Sequence, residues 1–291
     1  MKVSGFTFVR NAVKLRYPVV PVIRSVLPLV DEMIVNVGDG DDGTIDLVRA
    51  IDDPRLVIFE SPWDPRLKAG GAILAQQTDL ALARCTGDVG IYVQADEAVH
   101  EDDHPRIRAM LERLHADPRA EGLIFDYVHF YGSFHTVGAA RRWYRQEVRA
   151  VKTRIGVRSW RDAQGFRVGP GPGARKLEVL HSGARMYHYG WVRPPAAQLE
   201  KSADFQRWYH GDAAVETMLE QGFHYDEGEK VRPFTGTHPW PMRELVAQAD
   251  WPFTPRSIRP IRAGHVRHDL LDLFETATGI RVGGYRNFKL L

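Results

Sequence analysis

The first hundred residues alternate short apolar runs with helical patterns, and that alternation leaves few folds open. Val3 to Val9, Met33 to Val37, Leu56 to Phe59 and Gly90 to Val93 are β-branched and aromatic runs of strand length. Between them, Pro18 opens a helix whose apolar face is Val19, Val20, Val22, Ile23, Val26 and Leu27. Ile45 to Ile51 forms a second helix, and Lys68-Ala69-Gly70-Gly71 opens a third that runs through Leu74, Thr78, Leu82 and Cys85. Strands that alternate with helices lie parallel in one sheet with the helices on its faces, because each crossover returns the chain in the same direction. The expected class is therefore α/β, a Rossmann-like, mostly parallel sheet flanked by helices.

The fourth of these runs ends in acid. Behind Gly90-Ile91-Tyr92-Val93 come Gln94, Asp96, Glu97, Glu101, Asp102 and Asp103. In an open α/β sheet the ligand crevice lies outside the carboxyl ends of the strands, so these carboxylates face a binding site. Hard oxygen ligands suit Mg²⁺ or Mn²⁺, which can bridge to substrate phosphates. An acidic turn capping the helix that starts near His104-Pro105 explains the same residues without a ligand. The turn Gly38 to Thr44, between the second strand and its helix, is similarly dense in residues that tolerate positive φ or bond their own backbone. Lys68 and the two glycines at the start of the third helix offer free backbone N–H groups to a phosphate, or are simply a glycine-rich loop.

Composition narrows the class further. A chain of 291 residues that is 44% hydrophobic and 26% charged is an ordinary globular composition, and a formal charge of +2 is too small to argue for nucleic acid. The single cysteine, Cys85, excludes a disulfide framework within the chain and a cysteine-based zinc site. No apolar run approaches the roughly 18–20 residues that span a bilayer, so no transmembrane segment is expected. The N-terminus lacks the form of a signal peptide, so a cytoplasmic protein is expected, with peripheral association to a membrane-bound acceptor left open.

From His104 the pattern loosens. Ile107, Met110, Leu111 and Leu114 carry a helix, Gly122 to Tyr131 is an aromatic-rich strand, and the arginine-dense segment Arg141 to Arg154 reads as helix or strand. Val157 to Val168 is extended chain with turns, Gly169 to Gly173 an irregular loop, Arg185 to Trp191 a strand, and Leu199 to Leu219 helical. We expect one domain over residues 1–232, with a nucleotide-binding half of about 1–104 and a second half of about 105–232, which the resemblance given next makes the acceptor half of a catalytic domain. Residues 233–291 form an extension packed on the same domain, because Trp240, Trp251 and Phe253 require burial.

Taken in order, the FTFVRNA strand and turn, the VNVGDGDDGT turn, the glycine-containing helix before Thr86-Gly87-Asp88, and YVQADE resemble glycosyltransferase family 2, enzymes of the GT-A fold that use nucleotide-activated sugars. The resemblance covers roughly the first third of the chain. It implies a nucleoside-diphosphate sugar donor and an acceptor hydroxyl on a glycan, lipid-linked saccharide, small molecule or other partner. It also implies Mn²⁺ or Mg²⁺ held by Asp96 and Glu97, with His188 of the MYHYGW strand as a further ligand. Val9, Arg10, Asp39, Asp42, Gln94 and Ala95 fall in the matched pieces and are assigned to the nucleotide. Lys68, Arg149 and Arg193 are candidates for stabilising the leaving diphosphate. The acceptor hydroxyl needs a base, for which Glu147 is the first choice and Asp162 the second. Two departures stand out: the usual first aspartate of the metal element is Gln94, and the Asp-Asp pair that commonly opens the nucleotide turn falls on Val37-Gly38. Two other readings compete. One is a non-catalytic nucleic-acid or phosphate-binding module that uses the arginines interleaved with Trp143 and Tyr144 over 141–154. The other is a nucleotidyltransferase, although Phe8-Val9-Arg10-Asn11-Ala12 is not the glycine-rich basic loop such enzymes carry after their first strand.

Overall fold

The computed structural model of the chain describes residues 1–67, 69–209, 212–256, 270–271, 274–275, 277–278, 283 and 286–291. Its first part runs β1 (Val3–Val9), α1 (Val19–Val26), β2 (Glu32–Gly38), α2 (Thr44–Arg49), β3 (Leu56–Ser61), α3 (Ala72–Leu82) and β4 (Val89–Tyr92). These four strands are parallel and lie in the order β3-β2-β1-β4. The period of two along β1 divides its side chains between two cores. Val3 and Val9 pack with Val19, Val22, Ile23 and Val26 of α1, whereas Phe6 packs with Ile73 and Leu82 of α3 on the opposite face. Because β1 is flanked by β2 on one side and by β4 on the other, the strand order reverses there, and the reversal opens a crevice at the carboxyl ends of β1 and β4.

The second part is a mixed sheet. It continues through β5 (Glu97–Val99), α4 (His104–Ala116), β6 (Gly122–Tyr131), β7 (Ser133–Gly138), β8 (Gln146–Lys152), β9 (Val157–Trp160), β10 (Gly165–Val168) and β11 (Arg175–Trp191). Strand β8 enters antiparallel between β4 and β6, and β6 then pairs parallel with β11. The α/β class expected from the sequence is present, with the parallel order confined to β3-β2-β1-β4 and the β6–β11 pair among these central strands. The arginine-dense segment 141–154, open between helix and strand on pattern alone, supplies the buried strand β8. Strand β11 begins ten residues before Arg185, where the strand was expected to start, and a bulge between His181 and Arg185 carries Gly183 at φ 68°.

The last elements are α5 (Pro195–Gln206), α6 (Asp212–Gln221), β12 (Val231–Pro233), α7 (Arg243–Ala247) and β13 (Phe288–Leu290). A single helix over 199–219 is thus replaced by two, and the break turns Trp208 and Tyr209 back toward the crevice. Strand β13 pairs parallel with Leu177–Val179 of β11, which ties the end of the chain into the sheet. Among the described residues, no helix is long and apolar enough to cross a membrane.

Candidate active site

A cavity of about 590 Å³ occupies the crevice. Phe8, Val9 and Arg10 reach it from the end of β1, Gln94, Ala95 and Asp96 from the turn after β4, and His188 and Trp191 from β11. The β9–β10 turn contributes Asp162 and Gln164, and α5 contributes Gln198, Lys201 and Phe205. Its rim is aromatic. Trp63 and Trp208 lie with ring centroids 5.1 Å apart, and the Arg10 guanidinium sits 5.3 and 5.8 Å from the two rings. Asp39 stands behind this group: its Oδ1 accepts from the Trp63 backbone N–H at 3.2 Å and lies 3.4 Å from Arg10 Nε. Asp42 holds the turn itself, accepting from the backbone N–H groups of Lys14 and Thr44 and from the Thr44 hydroxyl. Burial pushes Asp42 up, but these hydrogen bonds together hold it below the usual carboxylate range. Of the residues assigned to the nucleotide, Val9, Arg10, Gln94 and Ala95 therefore line the cavity, whereas Asp39 and Asp42 shape its wall from behind. Lys68 lies outside the described residues.

Glu97 is committed elsewhere. Arg149 donates to both of its carboxylate oxygens, at 2.8 and 2.9 Å, Tyr127 Oη donates to Oε1 at 2.7 Å, and the Gln94 N–H donates to Oε2 at 3.1 Å. Both partners are buried, at 0% and 1% exposure, so this bidentate pair pins the turn after β4 to β8 and leaves no oxygen of Glu97 open to a cation. Its place is in the framework rather than among metal ligands. Arg149 reaches the cavity wall, but its guanidinium serves Glu97 and the carbonyls of Val148 and Gln164. Arg193, the third candidate for the diphosphate, is not among the residues that line the cavity. It is 2% exposed and donates to the carbonyls of Leu15 and Gly190, which are polar groups a buried loop must satisfy.

Of the acidic residues assigned to a metal, Asp96 alone lines the cavity, which Asp162 and Asp204 also border, and three basic groups surround it. Lys201 Nζ donates to Oδ2 at 3.1 Å, Arg193 NH2 lies 3.7 Å from the same oxygen, and His188 Nε2 lies 3.9 Å from Oδ1. Burial opposes its charge, but Lys201, His188 and Arg193 together hold the carboxyl well below the usual range. Burial likewise pushes Lys201 down to about 8, partly offset by Asp96, which leaves the ammonium charged at neutral pH.

The hydrogen-bond chain behind His188 fixes its tautomer. His129 Nε2 meets the Tyr144 carbonyl at 2.7 Å and must donate to it, so its Nδ1 accepts from His188 Nδ1 at 2.9 Å. Burial, the stronger influence on both rings, lowers their pKa values, and His129 is held well below the ordinary histidine range. With Nδ1 turned to His129, Nε2 is the ring nitrogen of His188 that faces Asp96.

This donor set does not fit a divalent cation. Mg²⁺ demands near-octahedral oxygen ligation and Mn²⁺ favours carboxylates. Position 94 carries an amide, Glu97 is saturated by Arg149, and the lone pairs of Asp96 face two cations. Among the described residues, no group of three or more histidine, cysteine, aspartate or glutamate side chains is arranged to hold a metal.

The two candidate bases separate clearly. Glu147, on β8, is 3% exposed, is not among the residues that line the cavity, and accepts from Gln164 Nε2 at 3.2 Å. Asp162 lines the cavity and accepts from Tyr209 Oη at 3.1 Å. The β9–β10 turn presents it between two non-glycine residues in the left-handed region, Arg161 at φ 57° and Ala163 at φ 61°. Gly71, at φ 71°, makes room for it, since a Cβ there would stand 2.7 Å from Asp162 Cβ and collide with the Tyr209 hydroxyl. The glycine pair expected to face a phosphate thus has a second use, seating Asp162.

The arginines of segment 141–154 turn inward or pair. Arg141 and Arg145 meet Glu275, Arg142 meets Glu229, Arg149 meets Glu97, and Trp143 Nε1 donates to Glu229 at 3.0 Å. These pairings neutralise much of the charge that a nucleic-acid module needs on such a face, although Arg142 and Arg145 stay more than half exposed.

No protein-family model matches the chain, and no curated protein does. Among solved structures, it is similar to S. aureus TarS at 16% identity and a TM-score of 0.41, over 76% of this chain and 42% of that one. It is similar to S. aureus TarS 1-349 in complex with UDP-GlcNAc at 13% identity and 0.41, over 76% and 71% of the two chains. It is also similar to the glucosyl-3-phosphoglycerate synthase of Mycobacterium tuberculosis in complex with Mn²⁺, UDP and glucosyl-3-phosphoglycerate, at 20% identity and 0.31, over 45% of each chain. The chain spans less than half the length of the first and the third. At these scores the fold assignment rests on the strand order of the chain itself.

Proposed function

We propose that the chain is a glycosyltransferase that moves a sugar from a nucleoside-diphosphate sugar to an acceptor hydroxyl, with Asp162 as the base. One observation carries this reading: an aromatic-rimmed cavity at the strand-order reversal brings Arg10, Lys201 and a half-buried carboxylate, Asp162, to a common space. A nucleotide sugar has matching parts, namely a planar base for the Trp63 and Trp208 rim, a dianionic diphosphate for the two cations, and a reacting carbon that requires a base nearby. In the transfer, the acceptor oxygen bonds to the anomeric carbon while the bond from that carbon to the β-phosphate oxygen breaks. The electron pair leaves with the nucleoside diphosphate, and the acceptor proton passes to Asp162. Tyr209, donating to Asp162 Oδ2, orients the carboxylate. No step is routed through a metal ion.

Replacing Asp162 by Asn tests the assignment. The variant keeps the shape and removes the basicity, and general-base catalysis is typically worth about 10²–10⁴-fold, so kcat should fall by roughly that factor. Nucleoside diphosphate release is followed with UDP-, GDP-, CDP- and dTDP-sugars, with water or a supplied saccharide as acceptor. Nucleotide affinity should be unchanged, because the base acts on the acceptor. An Asn variant as active as the wild type rejects Asp162 as the base.

A further inference from the structure

Three of the four positions that the family resemblance offers to a divalent cation are closed to one. Gln94 brings no charge, Glu97 is saturated by Arg149, and Asp96 is engaged by Lys201 and Arg193. Within 4 Å of the Asp96 carboxylate the charges are one anion and two cations, a net positive site. Such a site attracts a diphosphate and repels a dication.

The ammonium of Lys201 is placed as a bound ion would be. Its side chain is 15% exposed and lines the cavity, rising from α5 beneath the end of β11. Two of its three protons are used, one on Asp96 Oδ2 at 3.1 Å and one on the Gly190 carbonyl at 2.8 Å. Among the described residues, no oxygen or nitrogen acceptor takes the third, and the ammonium lies 5.4 Å from the centroid of the Tyr17 ring. Asp96 and the carbonyl fix the position of a flexible side chain, which removes much of the entropic cost of using lysine as a point charge.

We infer that Lys201 is a built-in cation that binds the donor diphosphate and stabilises its charge as it leaves, so that nucleotide binding and transfer need no divalent metal. The inference rests on the reading of the cavity as a nucleotide-sugar site. Asp96 then acts as a positioning residue for Lys201. The missing first carboxylate at Gln94 follows from the same arrangement, because a second acid would draw the ammonium away from the diphosphate.

Calorimetry of the intact chain with UDP, GDP, CDP and dTDP tests this, first in EDTA and then with MnCl₂ in place of the chelator. For the diphosphate that binds most tightly, Kd in EDTA should lie within tenfold of Kd with Mn²⁺. Lys201→Met, which keeps the aliphatic stem and removes the charge, should weaken binding in EDTA by more than tenfold. The wild-type comparison stands whether or not the variant folds. Wild-type binding that weakens more than tenfold in EDTA overturns the inference and leaves the nucleotide-sugar reading standing, as does a folded Lys201→Met variant that binds normally in EDTA. If none of the four diphosphates binds in either buffer, the nucleotide-sugar reading fails and this inference falls with it.

Discussion

Glu147→Gln separates a strained buried acid from a working base, and its effect can be calculated. Among the described residues, the Glu147 carboxyl accepts one hydrogen bond, from Gln164 Nε2 at 3.2 Å, and its Oε2 has no hydrogen-bond partner. Burial, opposed in part by Arg149 and Gln164, lifts its pKa from 4.5 to about 7. A tenfold change in proton affinity is worth about 1.4 kcal/mol, so the folded state loses about 3 kcal/mol relative to the unfolded chain as pH rises from about 4.5 to about 7. The direction follows from proton counts. In that window the unfolded carboxyl has released its proton and the folded one has not, so stability is full below the window and declines through it. Glutamine does not titrate and escapes this cost. Urea denaturation of both proteins at pH 4.5, 6 and 8 should show the variant gaining on the wild type with pH, by up to about 3 kcal/mol at pH 8. Transfer activity should stay within about threefold, because Glu147 lies outside the cavity. A stability difference that is constant with pH, or that shrinks as pH rises, refutes the reasoning. A hundredfold loss of kcat would return Glu147 to the role of base.

Other outcomes follow from the same structure. Glu97→Gln leaves the Arg149 guanidinium buried beside a neutral partner, and removing one member of such a pair costs about 3–5 kcal/mol, which thermal or urea denaturation will register. Asp162→Asn, at the cavity surface, should change stability by less than about 1 kcal/mol in the same assay. Gly71→Ala imposes a left-handed conformation costing about 1–2 kcal/mol and displaces Asp162, so it should lower transfer at least tenfold with nucleotide affinity intact, as read from parallel kinetics and calorimetry. Trp208→Ala removes half of the support for Arg10 and should weaken nucleotide binding severalfold.

The parallel half of the fold was legible because each of its strands is a continuous apolar run bounded by turn residues, and Gly122 to Tyr131 was read to the residue for the same reason. The first ten residues of β11 were not. In Arg175 to Ala184 the buried Leu177 and Val179 alternate with charged residues, and Gly183 breaks the period at a bulge. The cavity wall was legible where it follows a strand end, as at Arg10 and Asp96, since the topology of an open sheet fixes those positions. Lys201 was missed because one lysine within a helical pattern carries no signal of its own, and Trp208 and Tyr209 were missed because the helix expected over 199–219 ends at Gln206, ahead of both. Glu97 and Arg149 were read as site residues when each is the other's partner. A sequence shows that both charges exist, but only the pairing of β8 beside β4 shows that they neutralise each other. The Gly70-Gly71 pair was visible as a signal, while its relation to Asp162 depends on a contact between residues 91 positions apart.

The central claim is that the cavity between β1 and β4 receives a nucleoside diphosphate. Three tryptophans, Trp63, Trp191 and Trp208, line it, so binding should register in their fluorescence. Titrating the protein with UDP, GDP, CDP and dTDP while following tryptophan emission and thermal unfolding tests the claim directly. At least one of the four should saturably change the emission and, at about 100 times its Kd, stabilise the fold by about 2.7 kcal/mol. Arg10→Ala should weaken both responses together. If all four leave emission and melting temperature unchanged, the cavity is not a nucleotide site.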